Sequence, residues 1–196
     1  VLGADKKRLS KRHAATSLEE YRDQGYLDSA IINTLSRLGW SKGEKEVFYL
    51  EDLIKDFDIN EVQKAGAIFD VTKLDWLNSQ HLSNLTLDDF KNVLKPFLEK
   101  IDIDIEDHSN IDLLINAMKS SENTLSGIAQ SLIPYYKDKI IYDKKAISKF
   151  LSNNSSIIED IRDLLYNLDD WNESTLDSAL GTYQSDNNLS IPKVNQ

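Results

Sequence analysis

Apolar positions recur at helical spacing along most of the chain after residue 17. Ser17-Leu18-Glu19-Glu20 has the form of a capping box, in which the serine caps a helix and Glu20 reaches back to it. Gly25 supplies the stop. Ile31, Leu35 and Leu38 share one face of a helix predicted over 29–38 and ended by Gly39. Phe48, Leu50, Leu53, Ile54 and Phe57 repeat the pattern after a loop containing Gly43. Asp70 caps a helix that turns Leu74 and Leu77 inward. Thr86 and Asp89 open the next, with Phe90, Val93, Leu94, Phe97 and Leu98 as its stripe and Pro96 expected to kink or interrupt it.

Further helices are predicted near 111–119, 124–136, 143–152, 156–168 and 173–181. Extended spacing shows only in 99–107, where Ile101, Ile103 and Ile105 alternate with acids. Ser152 to Ser156 form a polar loop and cap signal, and no internal repeat appears. The expected fold class is mostly α, with a boundary near 79–86 and a weaker one near 138–143.

Composition narrows the functional classes. The 196 residues contain no cysteine, which excludes disulfides and thiolate-bound metals and fits a reducing compartment. No stretch reaches the roughly 20 apolar residues of a membrane span, so no membrane partner is expected. The formal charge of −10 argues against general polyanion binding, since phosphates are met by lysine and arginine. That charge is unevenly placed. Residues 1–12 hold five basic side chains against one acid, Asp5, so this end is +4 and the rest of the chain −14. Both termini look like cuts from a longer chain.

Lys6, Lys7, Arg8, Lys11 and Arg12 lie within seven positions and repel one another. Water alone could compensate them, which makes a solvated basic loop. The alternative is a clamp for a polyphosphate. Lysine offers a compact charge on a flexible stem, and Ser10 offers a short-range donor. A cation that approaches as pyrophosphate leaves lowers the barrier of an adenylate-forming reaction.

Arg8-Leu9-Ser10-Lys11-Arg12 resembles the second signature of class I aminoacyl-tRNA synthetases, the Lys-Met-Ser-Lys-Ser loop, in its glutamyl form. The following blocks extend the likeness in order: His13 to Ser17, Tyr21 to Leu27, Asn33 with Leu38-Gly39-Trp40-Ser41, Glu46-Val47-Phe48, Phe69-Asp70 and Lys73 to Asn78. Together they resemble bacterial-type glutamyl-tRNA synthetases, specifically over about 2–82 and more loosely in helix pattern beyond.

The resemblance implies a stem-contact helical domain with the loop over 1–82. An all-helical anticodon-binding region over 83–196 would follow, with a possible subdivision near 140 and truncation at the C-terminus. The Rossmann catalytic domain would lie upstream, outside this chain. Lys11 would be the catalytic lysine, and Arg8, Leu9, Ser10, Lys11 and Arg12 the ATP-binding set. The whole enzyme would use ATP with Mg2+ to join L-glutamate to tRNA(Glu), as a cytoplasmic monomer. This portion alone would bind no cofactor and be inactive as a ligase. Two departures stand out. Ala14 replaces a customary glycine, and Lys119 is the basic residue before Thr124-Leu125 where the family often carries arginines for the anticodon.

From the residues themselves, Lys119, Tyr135, Tyr136 and Lys137 are the tRNA-binding candidates, the last three because a cation adjoins two rings. Trp40 and Trp76 are expected in core packing. His13, His81 and His108 are expected at the surface or in loops, without metal spacing. The acids Asp102 to Asp107 fail the calcium-loop pattern, because Asp107 stands where glycine is required and Leu113 where glutamate is. No metal site is expected. A second reading of the whole is a non-catalytic helical module for tRNA or protein binding. The glutaminyl enzyme, with β-barrel anticodon domains, and the queuosine-modifying paralogue, with none, fit the long helical tail less well.

Overall fold

Capping chemistry sets the helix boundaries. The computed structural model describes residues 1–3, 7, 17–64, 66–104, 110–119, 121–137, 142, 144–152 and 154–189. Helix α1 (Leu18–Gln24) begins in the predicted box, with Ser17 Oγ and Glu20 Oε2 each accepting the other residue's amide at 3.2 Å. It ends at Gly25, whose φ of 90° lies in the left-handed region that favours glycine. Helix α2 (Asp28–Ser36) buries Ile31 but leaves Leu35 exposed, and it stops before Leu38. Ser36 Oγ donates to the Asn33 carbonyl at 2.7 Å within that last turn.

Helix α3 (Leu50–Asp56) departs most from its predicted stripe. Leu53 packs with Trp40 and Phe48, while Leu50 and Ile54 face solvent. A helix of two turns anchored through one residue has little more of its surface to bury. A 3-10 turn, Ile59–Glu61, follows. Helix α4 (Val71–Asn84) starts where Asp70 Oδ1 accepts the Lys73 amide at 3.3 Å.

Helix α5 (Leu87–Glu99) is capped by Thr86 and continues through Pro96, so the expected interruption does not occur. Phe90, Leu94 and Leu98 are buried on its inner face while Pro96 is exposed. Burial of three such side chains at roughly 1.5–3 kcal/mol each outweighs the proline penalty of about 3 kcal/mol. After α5 the chain turns at Asp102, with φ 55°, and the Ile103 amide returns to the Leu98 carbonyl at 3.0 Å. The alternating isoleucines therefore form no strand over the described part of 99–107; Ile103 instead joins the core.

Helices α6 (Ile111–Met118) and α7 (Leu125–Tyr136) complete that core. Leu82 of α4 belongs to it, together with Phe90, Leu94, Ile115, Ile128 and Leu132. The chain forms two compact units, 1–139 and 140–196. In the second, α8 (Lys144–Ala146) runs into a π-helical turn over Ile147–Leu151. There follow α9 (Ser155–Tyr166) and α10 (Glu173–Asp186), joined by the Tyr183 hydroxyl donating to Asp160 Oδ2 at 3.0 Å. Among the described residues there is no strand, only isolated bridges at Leu2–Ile68 and Lys42–Lys45. The fold is mostly α.

Candidate nucleic-acid interface

Arg8, Leu9, Ser10, Lys11, Arg12, His13 and Ala14 lie outside the described residues, as do Lys6 and His108. The flanks of the basic segment are described. Before it, Leu2 pairs with residues 67–69: its amide donates to the Ala67 carbonyl and its carbonyl accepts the Phe69 amide, each at 2.8 Å. The Gly3 amide donates to the Lys7 carbonyl at 2.9 Å. After it, Ser17 opens α1, whose Tyr21 ring meets Phe69 at 5.8 Å. Both flanks are thus fixed on the segment around Phe69.

A buried polar network joins α2 to α4. Asn33 donates through Nδ2 to the Glu46 carbonyl at 3.1 Å, and its Oδ1 accepts the Phe48 amide at 2.9 Å. His81 Nε2 stands 3.1 Å from the same Oδ1. An oxygen can only accept, so that nitrogen carries the proton. His81 is 2% exposed, which corrects the surface placement expected for it. Burial pushes its imidazole below the usual histidine range, opposed by the charge of Asp28.

This depression predicts a pH dependence. The unfolded chain takes up the proton first, so the full contribution of neutral His81 is present above the ordinary value of 6.5 and is lost as pH falls below it. The loss levels off once pH passes the lower folded value. Denaturation midpoints measured from pH 8 to pH 5 are expected to fall more steeply for the wild type than for His81→Gln. Parallel curves would remove His81 as the cause.

Asn78 forms a second junction. Its Oδ1 accepts the Leu27 amide at 2.8 Å, and its Nδ2 donates to the Asn123 carbonyl at 2.6 Å and to the Gly25 carbonyl at 3.4 Å. The Leu125 amide also reaches the Gly25 carbonyl, at 3.2 Å. The α1–α2 turn, α4 and the start of α7 meet at this point. Neither asparagine announced itself as a buried donor set. Both do fall inside the family-like blocks, which is the one signal that could have marked them.

The outer face of α4 is charged. Lys73 pairs with Glu46, whose carboxyl that ammonium holds below its usual range, and Arg37 lies 3.7 Å from Glu46 on the other side. The Lys73 ammonium also sits 4.1 Å above the Trp76 ring. Trp76 is 39% exposed, so the expectation of core packing holds for Trp40, at 2%, and fails for Trp76. The hydrophobic places on α4 are already taken by Leu74 and Leu77.

The remaining candidates separate. Lys119 turns inward: Nζ donates to the Leu85 carbonyl at 3.0 Å, lies 4.6 Å from the Phe90 ring, and is lowered in pKa by burial. Tyr136 packs against the main core, while Tyr135 and Lys137 are exposed at the end of α7. No group of three histidines or carboxylates among the described residues is placed to hold a metal ion. No helix among them is long and apolar enough to cross a membrane.

Known proteins match along nearly the whole chain. Residues 1–76 match the family described as tRNA synthetases class I (E and Q), catalytic domain, and residues 89–196 match the anticodon binding domain family. A glutamate–tRNA ligase of Syntrophotalea carbinolica is 36% identical over 91% of this chain and 39% of its own length. Glutamate–tRNA ligase 1 of Alkalilimnicola ehrlichii is 38% identical over 87% of this chain and 36% of its own. The crystal structure of a glutamate tRNA ligase from Elizabethkingia meningosepticum, in complex with its amino acid, superposes with a TM-score of 0.72 at 25% identity, covering 99% of this chain and 42% of that one. The chain thus spans about two-fifths of the length of these relatives. With both family matches in sequence order on a helical scaffold, the chain belongs to the class I tRNA synthetases of the glutamyl and glutaminyl group and carries their anticodon binding domain.

Proposed function

We propose that this chain is the ATP-loop and tRNA-binding portion of a glutamate–tRNA ligase. In the whole enzyme ATP activates the glutamate carboxylate as an adenylate, and the tRNA 3′ end then attacks it. The observation that carries the reading is the order of the two family matches, catalytic domain before anticodon binding domain. Lys11 stabilises the charge that grows on the departing pyrophosphate. Arg8, Leu9, Ser10 and Arg12 complete the ATP-binding segment. Residues 1–82 serve as the loop and stem-contact domain, and 83–196 receive the anticodon arm. ATP enters with Mg2+, which neutralises its phosphates; among the described residues no group of three or more histidines or carboxylates could hold a metal ion by itself. The enzyme acts in the cytoplasm as a monomer.

ATP–pyrophosphate exchange by the full-length ligase, with glutamate and tRNA present, tests this. Lys11→Ala is expected to slow exchange about 100-fold, in line with loss of one charge-stabilising donor at a reacting centre. The circular dichroism spectrum should not change. An unchanged rate would remove the role given to Lys11, and no exchange by the wild type would overturn the ligase reading.

A further inference from the structure

Residues 50–59 carry apolar side chains in two directions. Leu53 is buried with Trp40 and Phe48. Leu50 and Ile54, one turn apart on α3 and so on a shared face, are exposed, as are Phe57 and Ile59 just beyond it. Ile54, at 77%, and Ile59, at 71%, keep most of the surface that an extended chain would show. The Phe57 ring meets the buried Trp40 at 5.3 Å between centroids and is itself exposed, so it joins the inner set to the outer one.

Apolar residues scattered singly over a surface need no explanation. Four within ten positions, bordered by polar side chains, form the pattern of a contact surface. The border narrows the partner. Glu51, Asp56 and Asp58 stand with one cation, Lys55, and Asp52 is already paired with Lys45. An excess of acids repels a phosphate backbone, which leaves an apolar protein surface as the fit.

We infer that Leu50, Ile54, Phe57 and Ile59 seat the part of the catalytic domain that precedes Val1 in the full-length ligase. This rests on the proposed function, which places that part upstream. All four residues fall inside 1–76, the stretch matching the catalytic domain family, and the anticodon binding domain comes after it. This chain covers about two-fifths of its relatives, so the length that would complete the catalytic domain lies before Val1. The chain from that side enters at Leu2, which pairs with residues 67–69. Ile68, bridged to Leu2, and Val71 are exposed as well, so apolar surface is open both on α3 and where the chain comes in.

The absence of cysteine from residues 1–196 allows a thiol to report on each position. Full-length ligase carrying I54C, I59C or K55C is treated with N-ethylmaleimide, natively and in urea, and the peptide bearing the introduced thiol is followed by mass spectrometry. Native labelling at 54 and 59, relative to urea, is expected to be at least about tenfold slower than at 55, because a covered thiol reacts only through local opening. Lys55 is exposed and lies on the polar side of α3. Equal rates at all three positions would overturn the seat. Protection that vanishes on dilution would overturn it in favour of a second copy of the protein, and protection that appears only with tRNA would overturn it in favour of RNA. Labelling needs no turnover, so this outcome is distinct from absence of ATP–pyrophosphate exchange in the unsubstituted enzyme, which would overturn the proposed function.

Discussion

Replacement of Asn78 by alanine is expected to destabilise the 1–139 unit by about 4 kcal/mol, since each orphaned buried polar group costs about 1–3 kcal/mol. The side chain is fully buried, and it is the partner of the Leu27 amide and the Asn123 carbonyl. Alanine strands both and leaves a void besides. N78D separates these effects. It fills the same volume and still accepts from Leu27, but it presents a second oxygen to the Asn123 and Gly25 carbonyls. It should therefore be no more stable than alanine. Urea denaturation followed by far-ultraviolet circular dichroism measures both. A change under about 1 kcal/mol in either variant would show the junction to be dispensable, being below the penalty for even one stranded group.

Gly25→Ala is expected to be nearly as damaging, at about 3–4 kcal/mol. A side chain in the left-handed region costs about 1–2 kcal/mol, and overpacking adds about 1–3 kcal/mol. A Cβ at this position would stand 2.6 Å from Leu125 Cβ, 2.7 Å from the Leu125 nitrogen and 2.8 Å from the Ser126 nitrogen. Two of those atoms are backbone, so relief requires α7 to withdraw from α1 and the Leu125-to-Gly25 hydrogen bond to lengthen. A shift of about 10 °C in thermal midpoint is the corresponding readout for a domain this size. Gly43→Ala, whose site is open, provides a comparison that carries the backbone penalty without the clash.

What the sequence disclosed was mostly local. Ser17 with Glu20, Asp70 and Thr86 mark helix starts because their partners lie three residues away, inside any reading window. The stripe of α5 was readable because thirteen residues give three turns of repetition. Helix α3, at seven residues, gives too few turns for periodicity to tell Leu53 from Ile54. His81 and Trp76 failed for a different reason. Their burial depends on Asn33, 48 positions from His81, and on Leu74 and Leu77 filling the interior of α4. Local spacing contains nothing of that. For the candidate site, family-like blocks indicated the tRNA synthetase character, whereas the inward turn of Lys119 needed the positions of Leu85 and Phe90.

The junction at Asn78 also bears on how such a protein can be cut into working pieces. Severing the chain after residue 82 would strip Leu82 from the interior it shares with Phe90 and Leu94, and would part Asn78 from Asn123. Each half would be left with a raw, sticky surface. A cut between 139 and 140 respects the compact units instead, which makes it the natural seam for producing the two parts separately.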